Sequence, residues 1–207
     1  MNCIVKTRTI ASIFCVLLLL GAPATLRAAE TKAPALVIYT IASVPVVVSS
    51  NYIGRQVIAA LWSDGKIVWS ESRTSAGPLY KEGRFPPEKL AALLDKLEHK
   101  GAFSDEALKR VWLGPDSSFT VIAINDGQRH LTIRSWHEDF EQRTNLVATA
   151  SGIESLGERK REDVLREQPE DYRRFRETWS EIRQAVAAIV PENGEPYQGQ
   201  ITIPANR

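Results

Sequence analysis

Two apolar runs, each broken by the same dipeptide, constrain this chain most. "QVIAALWSDGKIVWSES" turns at Asp64-Gly65 and "SSFTVIAINDGQRHLTIRSW" at Asp126-Gly127. Asp-Gly between β-branched apolar runs marks a hairpin, because a two-residue type I′ turn needs two residues at positive φ. In the first hairpin such a turn pairs Ser63 with Lys66, Trp62 with Ile67 and Ala60 with Trp69. Ile58, Ala60, Trp62, Ile67 and Trp69 then share one face, and Val57, Ala59, Leu61 and Val68 the other. Both sets are apolar, which predicts a sheet covered on both sides. In the second hairpin Ile124 faces Arg129, Ile122 faces Leu131, and Phe119 faces Arg134. Thr120, Ile122, Ile124, Leu131 and Ile133 point to the core, while Phe119, Val121, Ala123, His130, Thr132, Arg134 and Trp136 form a mixed face.

Each hairpin has a helix downstream. Pro87 suits a first turn, Glu88 the positive end of the helix dipole, and Leu90, Leu93, Leu94 and Leu97 make one stripe that Gly101 stops. Ser104 to Arg110 reads as a short further helix capped by Ser104. A second long helix starts near Pro169, with Tyr172, Phe175, Trp179, Ile182, Val186 and Ile189 at steps of 3 and 4, and ends at Pro191. Arg73 to Pro86 and Glu141 to Glu167 read as loops, the latter with a charged helical piece from Glu158. Pro34 to Ser50 supplies one or two strands interrupted at Pro45. The fold class is therefore α+β: an antiparallel sheet of two Asp-Gly hairpins plus an N-terminal strand segment, with two amphipathic helices packed on it.

The N-terminus sets the compartment. Lys6 and Arg8 precede an apolar run from Ile10 to Gly21, and small residues follow at Ala22–Ala24 and Ala28-Ala29. That order is the layout of a secretory signal peptide, and the run is shorter than the ~20 residues of a membrane span. The expected organisation is a signal peptide over 1–29, a single domain over 30–191 and a flexible C-terminal tail over 192–207, with a periplasmic or extracellular destination. Both cysteines, Cys3 and Cys15, lie in the signal, so the mature chain has no thiol for disulfide, catalyst or metal. Cleavage also removes Lys6, Arg8 and Arg27, taking the net charge from +1 to −2. That balance gives no electrostatic case for nucleic acid or an anionic membrane surface.

The segments "LWSDGKIVWS", "GPLYKEGRFPPEKLAALL", "GPDSSFTVI", "SWHE" and "FRETWSEIRQAVAAIVP" together resemble a family of uncharacterised exported bacterial proteins with a hairpin–helix–hairpin–helix domain. The resemblance covers most of the mature chain. It implies export and this fold, and it implies no chemistry.

The stretch richest in chemistry is "RSWHEDFE", Arg134 to Glu141. Ser135, His137 and Asp139 alternate, as a serine triad drawn along a strand would. Same-face residues on a strand stand about 6.5–7 Å apart, whereas a nucleophile and its base need about 2.6–3.2 Å. Only a sharp bend closes that gap, and no Gly-x-Ser-x-Gly elbow is present. The three histidines, His99, His130 and His137, do not make a His-Glu-x-x-His zinc pattern. The expectation is no catalytic residue, metal or cofactor. Phe119, His130, Arg134, Trp136, His137 and Glu138 are the binding candidates, for an envelope protein or a small ligand. The competing reading is a hydrolase or metal-dependent enzyme centred on His137 and Glu138.

Overall fold

The computed structural model describes residues 33–41, 55–72, 76–112, 119–142 and 145–203, apart from the side chain of Asp139. The signal-peptide segment 1–29 and the Pro45 interruption lie outside those residues. In chain order the elements are β1 (Leu36–Ile41), β2 (Gln56–Leu61), β3 (Lys66–Ser70), β4 (Tyr80–Arg84), α1 (Pro87–His99) and α2 (Glu106–Lys109). Then come β5 (Phe119–Asn125), β6 (His130–Ser135), α3 (His137–Glu141), β7 (Leu146–Thr149), β8 (Gly152–Ser155), α4 (Arg161–Arg166), α5 (Glu170–Ile189) and β9 (Glu195–Tyr197). The architecture is α+β. Among the described residues, seven strands make one antiparallel sheet in the order β6-β5-β1-β2-β3-β4-β9, and β7 and β8 pair separately. The N-terminal strand sits between the two hairpins, with Leu36 opposite Leu61 on β2 and Ile124 on β5.

Both Asp-Gly turns are hairpins, and neither is a two-residue type I′ turn. Gly65 and Gly127 take positive φ (+84° and +99°); Asp64 and Asp126 do not. In the first hairpin Leu61 faces Ile67, Gly65 N–H donates to Trp62 O (3.0 Å), and Trp62 N–H donates to Lys66 O (2.9 Å). This is a three-residue loop ending in a left-handed glycine. The register is therefore one residue off the expected pairing, and a one-residue slip exchanges faces. Ala59 and Leu61 join Ile67 and Trp69 in the core, while Ala60 turns to the opposite side. A bulge at Ile58, between the pairs Ile38–Ala59 and Tyr39–Val57, puts Ile58 and Ala59 into the same core. In the second hairpin Asn125 faces His130 across a four-residue loop, and Asp126 Oδ1 accepts from Gln128 N (3.2 Å) and Arg129 N (2.8 Å). Here the slip is two residues, so the expected faces survive: Ile122, Ile124, Leu131 and Ile133 are core.

The main core lies between one sheet face and the helices. Leu90, Leu93, Leu94 and Leu97 of α1 and Tyr172, Phe175, Trp179, Ile182, Val186 and Ile189 of α5 pack on Leu36, Ile38, Leu61, Ile67, Ile122 and Ile133. Both helical stripes are the ones expected. The cap of α2 is Asp105, whose side chain accepts from Ala107 N–H; Ser104 Oγ instead donates to Gly101 O. The opposite face carries a second cluster of Val37, Tyr39, Val57, Ala60, Val121 and Ala123.

Two expected loops contain strands. β4 lies within 73–86, and the β7–β8 pair lies within 141–167, ahead of α4 in the charged piece. So the second long helix does not follow its hairpin directly. The C-terminal segment also differs from a loose tail. Glu195–Tyr197 pairs with β4, Gly194 lies against the Trp69 ring where a β-carbon would clash, and Ile201 and Ile203 pack on the second cluster.

Candidate functional site

β6 ends at Ser135, and Trp136 (φ −112°, ψ −5°) swings the chain into α3. This is the sharp bend that an extended reading lacks. It brings Ser135 Oγ into hydrogen-bond contact with His137 Nδ1, and the same hydroxyl accepts from His137 N–H (3.3 Å). The Ser-x-x-Glu spacing of Ser135 to Glu138 is not a capping box here, because the N-cap is Trp136 and no side chain caps the helix. Trp136 is buried, its Nε1–H donates to Trp112 O (3.2 Å), and its ring stands edge-on to Phe140 at 5.1 Å.

The bend divides the six binding candidates. Register places Phe119 opposite Ile41, Arg134 opposite Val121 and His130 opposite Asn125, on the face turned away from α1 and α5. Trp136 leaves that face because strand alternation stops at the turn, and with His137 and Glu138 it lies on the helix side. The mixed face and the "SWHE" residues are therefore two places.

His137, Glu138 and Glu141 line a cleft of about 410 Å³ between α3 and the Arg176–Gln184 stretch of α5. Buried Ile58, Thr120, His137 and Trp179 form its inner surface, and exposed Gln142, Ser180 and Gln184 its rim. Glu138 Oε1 accepts from Trp179 Nε1–H and from Arg183 Nε–H, both at 2.9 Å. Glu141 takes Arg176 in a two-pronged pair, Nη1 to Oε1 at 2.8 Å and Nη2 to Oε2 at 2.7 Å, and Oε1 also accepts from Ala148 N–H. Arg176 Nη1 further reaches Ala148 O (3.3 Å) and the Tyr172 hydroxyl (3.4 Å). Behind the pair, Arg161 Nη2 donates to Glu141 O and Leu146 O, tying α4 and β7 to α3.

Burial drives the His137 imidazole well below its ordinary pKa, and the charges of Arg176, Arg183 and Arg161 push the same way. The ring is neutral at physiological pH. Its edge contacts to Trp179 (5.4 Å) and Phe175 (6.3 Å) hold it against α5. Burial opposes the charge on Arg176, yet its hydrogen bonds and ion pair with Glu141 raise its pKa above the ordinary value.

Chemically, the Ser135–His137 contact is not an exposed nucleophile. Ser135 is 5% exposed and does not line the cleft, and the imidazole nitrogen that meets it is Nδ1. Among the described side chains no carboxylate bonds to His137, because Glu138 and Glu141 are held by Trp179 and the arginines. No group of three or more His, Cys, Asp or Glu among the described residues could hold a metal ion. No helix among them is long and apolar enough to cross a membrane.

Sequence reasoning named His137 and Glu138 and missed Glu141, Arg176 and Arg183. The available signal was the spacing Arg176, Trp179, Ser180, Arg183, a polar stripe at helical steps beside the apolar one. No protein-family model, no curated protein and no solved structure matches this chain.

Proposed function

We propose that this protein is an exported, non-catalytic binding module of the cell envelope whose cleft between α3 and α5 receives a small ligand or the tip of a partner. One observation carries the reading: each acid–base side chain of the cleft is held by a protein partner. Glu141 has both oxygens on Arg176, Glu138 shares one oxygen between Trp179 and Arg183, and His137 is buried, neutral and held on Ser135. General acid–base catalysis needs a group free to exchange a proton with substrate. Rigid, oriented polar groups over a partly apolar floor instead suit recognition. Export rests on the lead "KTRTIASIFCVLLLLGAPA".

The test uses protein expressed with its own N-terminus in a bacterial host. N-terminal sequencing of the envelope fraction is expected to begin between Thr25 and Thr31. A photoreactive residue at Gln142, on the cleft rim, is expected to form a discrete adduct there. Chromogenic esters, amides and glycosides are expected to show no turnover that depends on His137. Turnover abolished by His137→Ala refutes the binding reading and installs the hydrolase.

A further inference from the structure

The groups of the cleft that remain unused define what it can recognise. Arg176 and both oxygens of Glu141 are committed to each other and to nearby groups. Arg183 is different. Its Nε–H is spent on Glu138, and among the described residues neither Nη group has a protein partner. The guanidinium is nevertheless fixed, because the Glu138 oxygen that holds it is itself held by the buried Trp179. The side chain is 26% exposed, so its free end reaches solvent while its base is anchored. A guanidinium offers two parallel N–H donors at a spacing that fits a planar carboxylate, and pre-orienting it lowers the ordering cost of binding.

We propose that the cleft binds a small monocarboxylate, the two Nη groups of Arg183 clasping its oxygens while its apolar body lies toward Trp179 and Ile58.

Three features select this class. The cleft is about 410 Å³, within the ~300–1,000 Å³ of small-ligand sites. Its formal charges balance: Arg176 and Arg183 against Glu138 and Glu141, with His137 neutral. A monoanion adds one negative charge to that set, whereas a phosphate dianion adds two beside the remaining Glu138 oxygen, which disfavours it. The uncharged rim residue Gln142 supplies an amide whose side chain has no partner among the described residues.

The proposal rests on the binding reading above, and its failure is separable. Loss of carboxylate binding with the Gln142 adduct intact sinks only the ligand class. Turnover dependent on His137 sinks the reading beneath it.

The probe is butyrate, with butyramide as its uncharged counterpart and inorganic phosphate at matched ionic strength. The readout is the Trp179 indole N–H resonance, whose proton sits on the same Glu138 oxygen as Arg183. Butyrate is expected to shift it saturably with a Kd of about 1–10 mM, as suits so few atoms. Butyramide and phosphate are expected to be at least about tenfold weaker. Arg183→Lys keeps a cation for Glu138 and loses the paired donors, and is expected to bind butyrate at least about tenfold more weakly. If that variant fails to fold, Gln142→Glu places a repelling charge on the exposed rim and is expected to give a similar loss. The proposal is overturned by the absence of a saturable butyrate shift, by equal shifts from butyrate and butyramide, by phosphate binding as tightly as butyrate, or by wild-type affinity in a folded variant.

Discussion

Acid should loosen this fold through one residue. His137 is 6% exposed, and burial, reinforced by Arg176 and Arg183 on α5 and Arg161 on α4, holds its imidazole well below the ordinary value of 6.5. The unfolded ring accepts a proton near that value and the folded ring does not, so lowering the pH favours the unfolded chain. The stabilisation is complete above pH 6.5 and falls away as the pH drops toward the lower folded value. Between pH 7.5 and pH 5.5 the unfolded ring takes up a proton that the folded ring resists, so this group lowers stability, by no more than the roughly 1–1.5 kcal/mol that the unfolded ring's titration allows. The assay is urea unfolding of the wild type and of His137→Asn at both pH values. Other titrating groups are common to the two proteins, so the difference between their pH slopes isolates His137. The wild type should lose more stability than the variant over that interval. Parallel losses, or an imidazole that titrates near 6.5 by NMR in the folded protein, would refute the reasoning.

The two turn glycines should differ in cost. Gly65→Ala meets a left-handed φ and also places a methyl 2.5 Å from Phe85 O, whereas Gly127→Ala meets only the φ, with open space around it. Denaturant midpoints should show about 1 kcal/mol for Gly127→Ala and at least about twice that for Gly65→Ala; equal losses contradict the close approach at Gly65. Glu141→Ala strands the Arg176 guanidinium in a site where the two side chains are 13% and 11% exposed, and should cost about 3–5 kcal/mol by urea unfolding. Trp136→Ala empties the space beside Phe140 and frees Trp112 O, and calorimetry should show a loss of about 3–5 kcal/mol. A melting temperature unchanged in that variant would remove Trp136 from the core.

Legibility in the sequence followed how local each determinant was. The stripes of α1 and α5 were readable because every apolar residue at helical spacing is buried where that spacing puts it. The faces of the second hairpin were readable despite a wrong loop length, because an error of two residues preserves strand parity; in the first hairpin an error of one did not. β4 was hidden because "YKEGR" is polar, and it is a strand only by pairing with β3 and β9. Glu141 and Arg176 meet across 35 residues, and nothing local to either announces the other. In "SWHE" the alternation of residue types suggested a continuing strand, and the chain instead bends at Trp136 into α3.

The place of β1 has a consequence for how the chain reaches this structure. Among the described strands it is made first, and it lies inside the sheet, its residues from Leu36 to Tyr39 buried, its partners Leu61 and Ile124 lying on either side. The first hairpin can satisfy one edge soon after synthesis; the other stays open until β5 exists. During that interval the nascent chain carries an apolar strand with unpaired backbone groups, the kind of edge that recruits other chains. A fragment ending at Ser72 would keep that edge permanently and should aggregate. Secretion in an unfolded state would postpone the exposure until the whole sheet can close in one compartment.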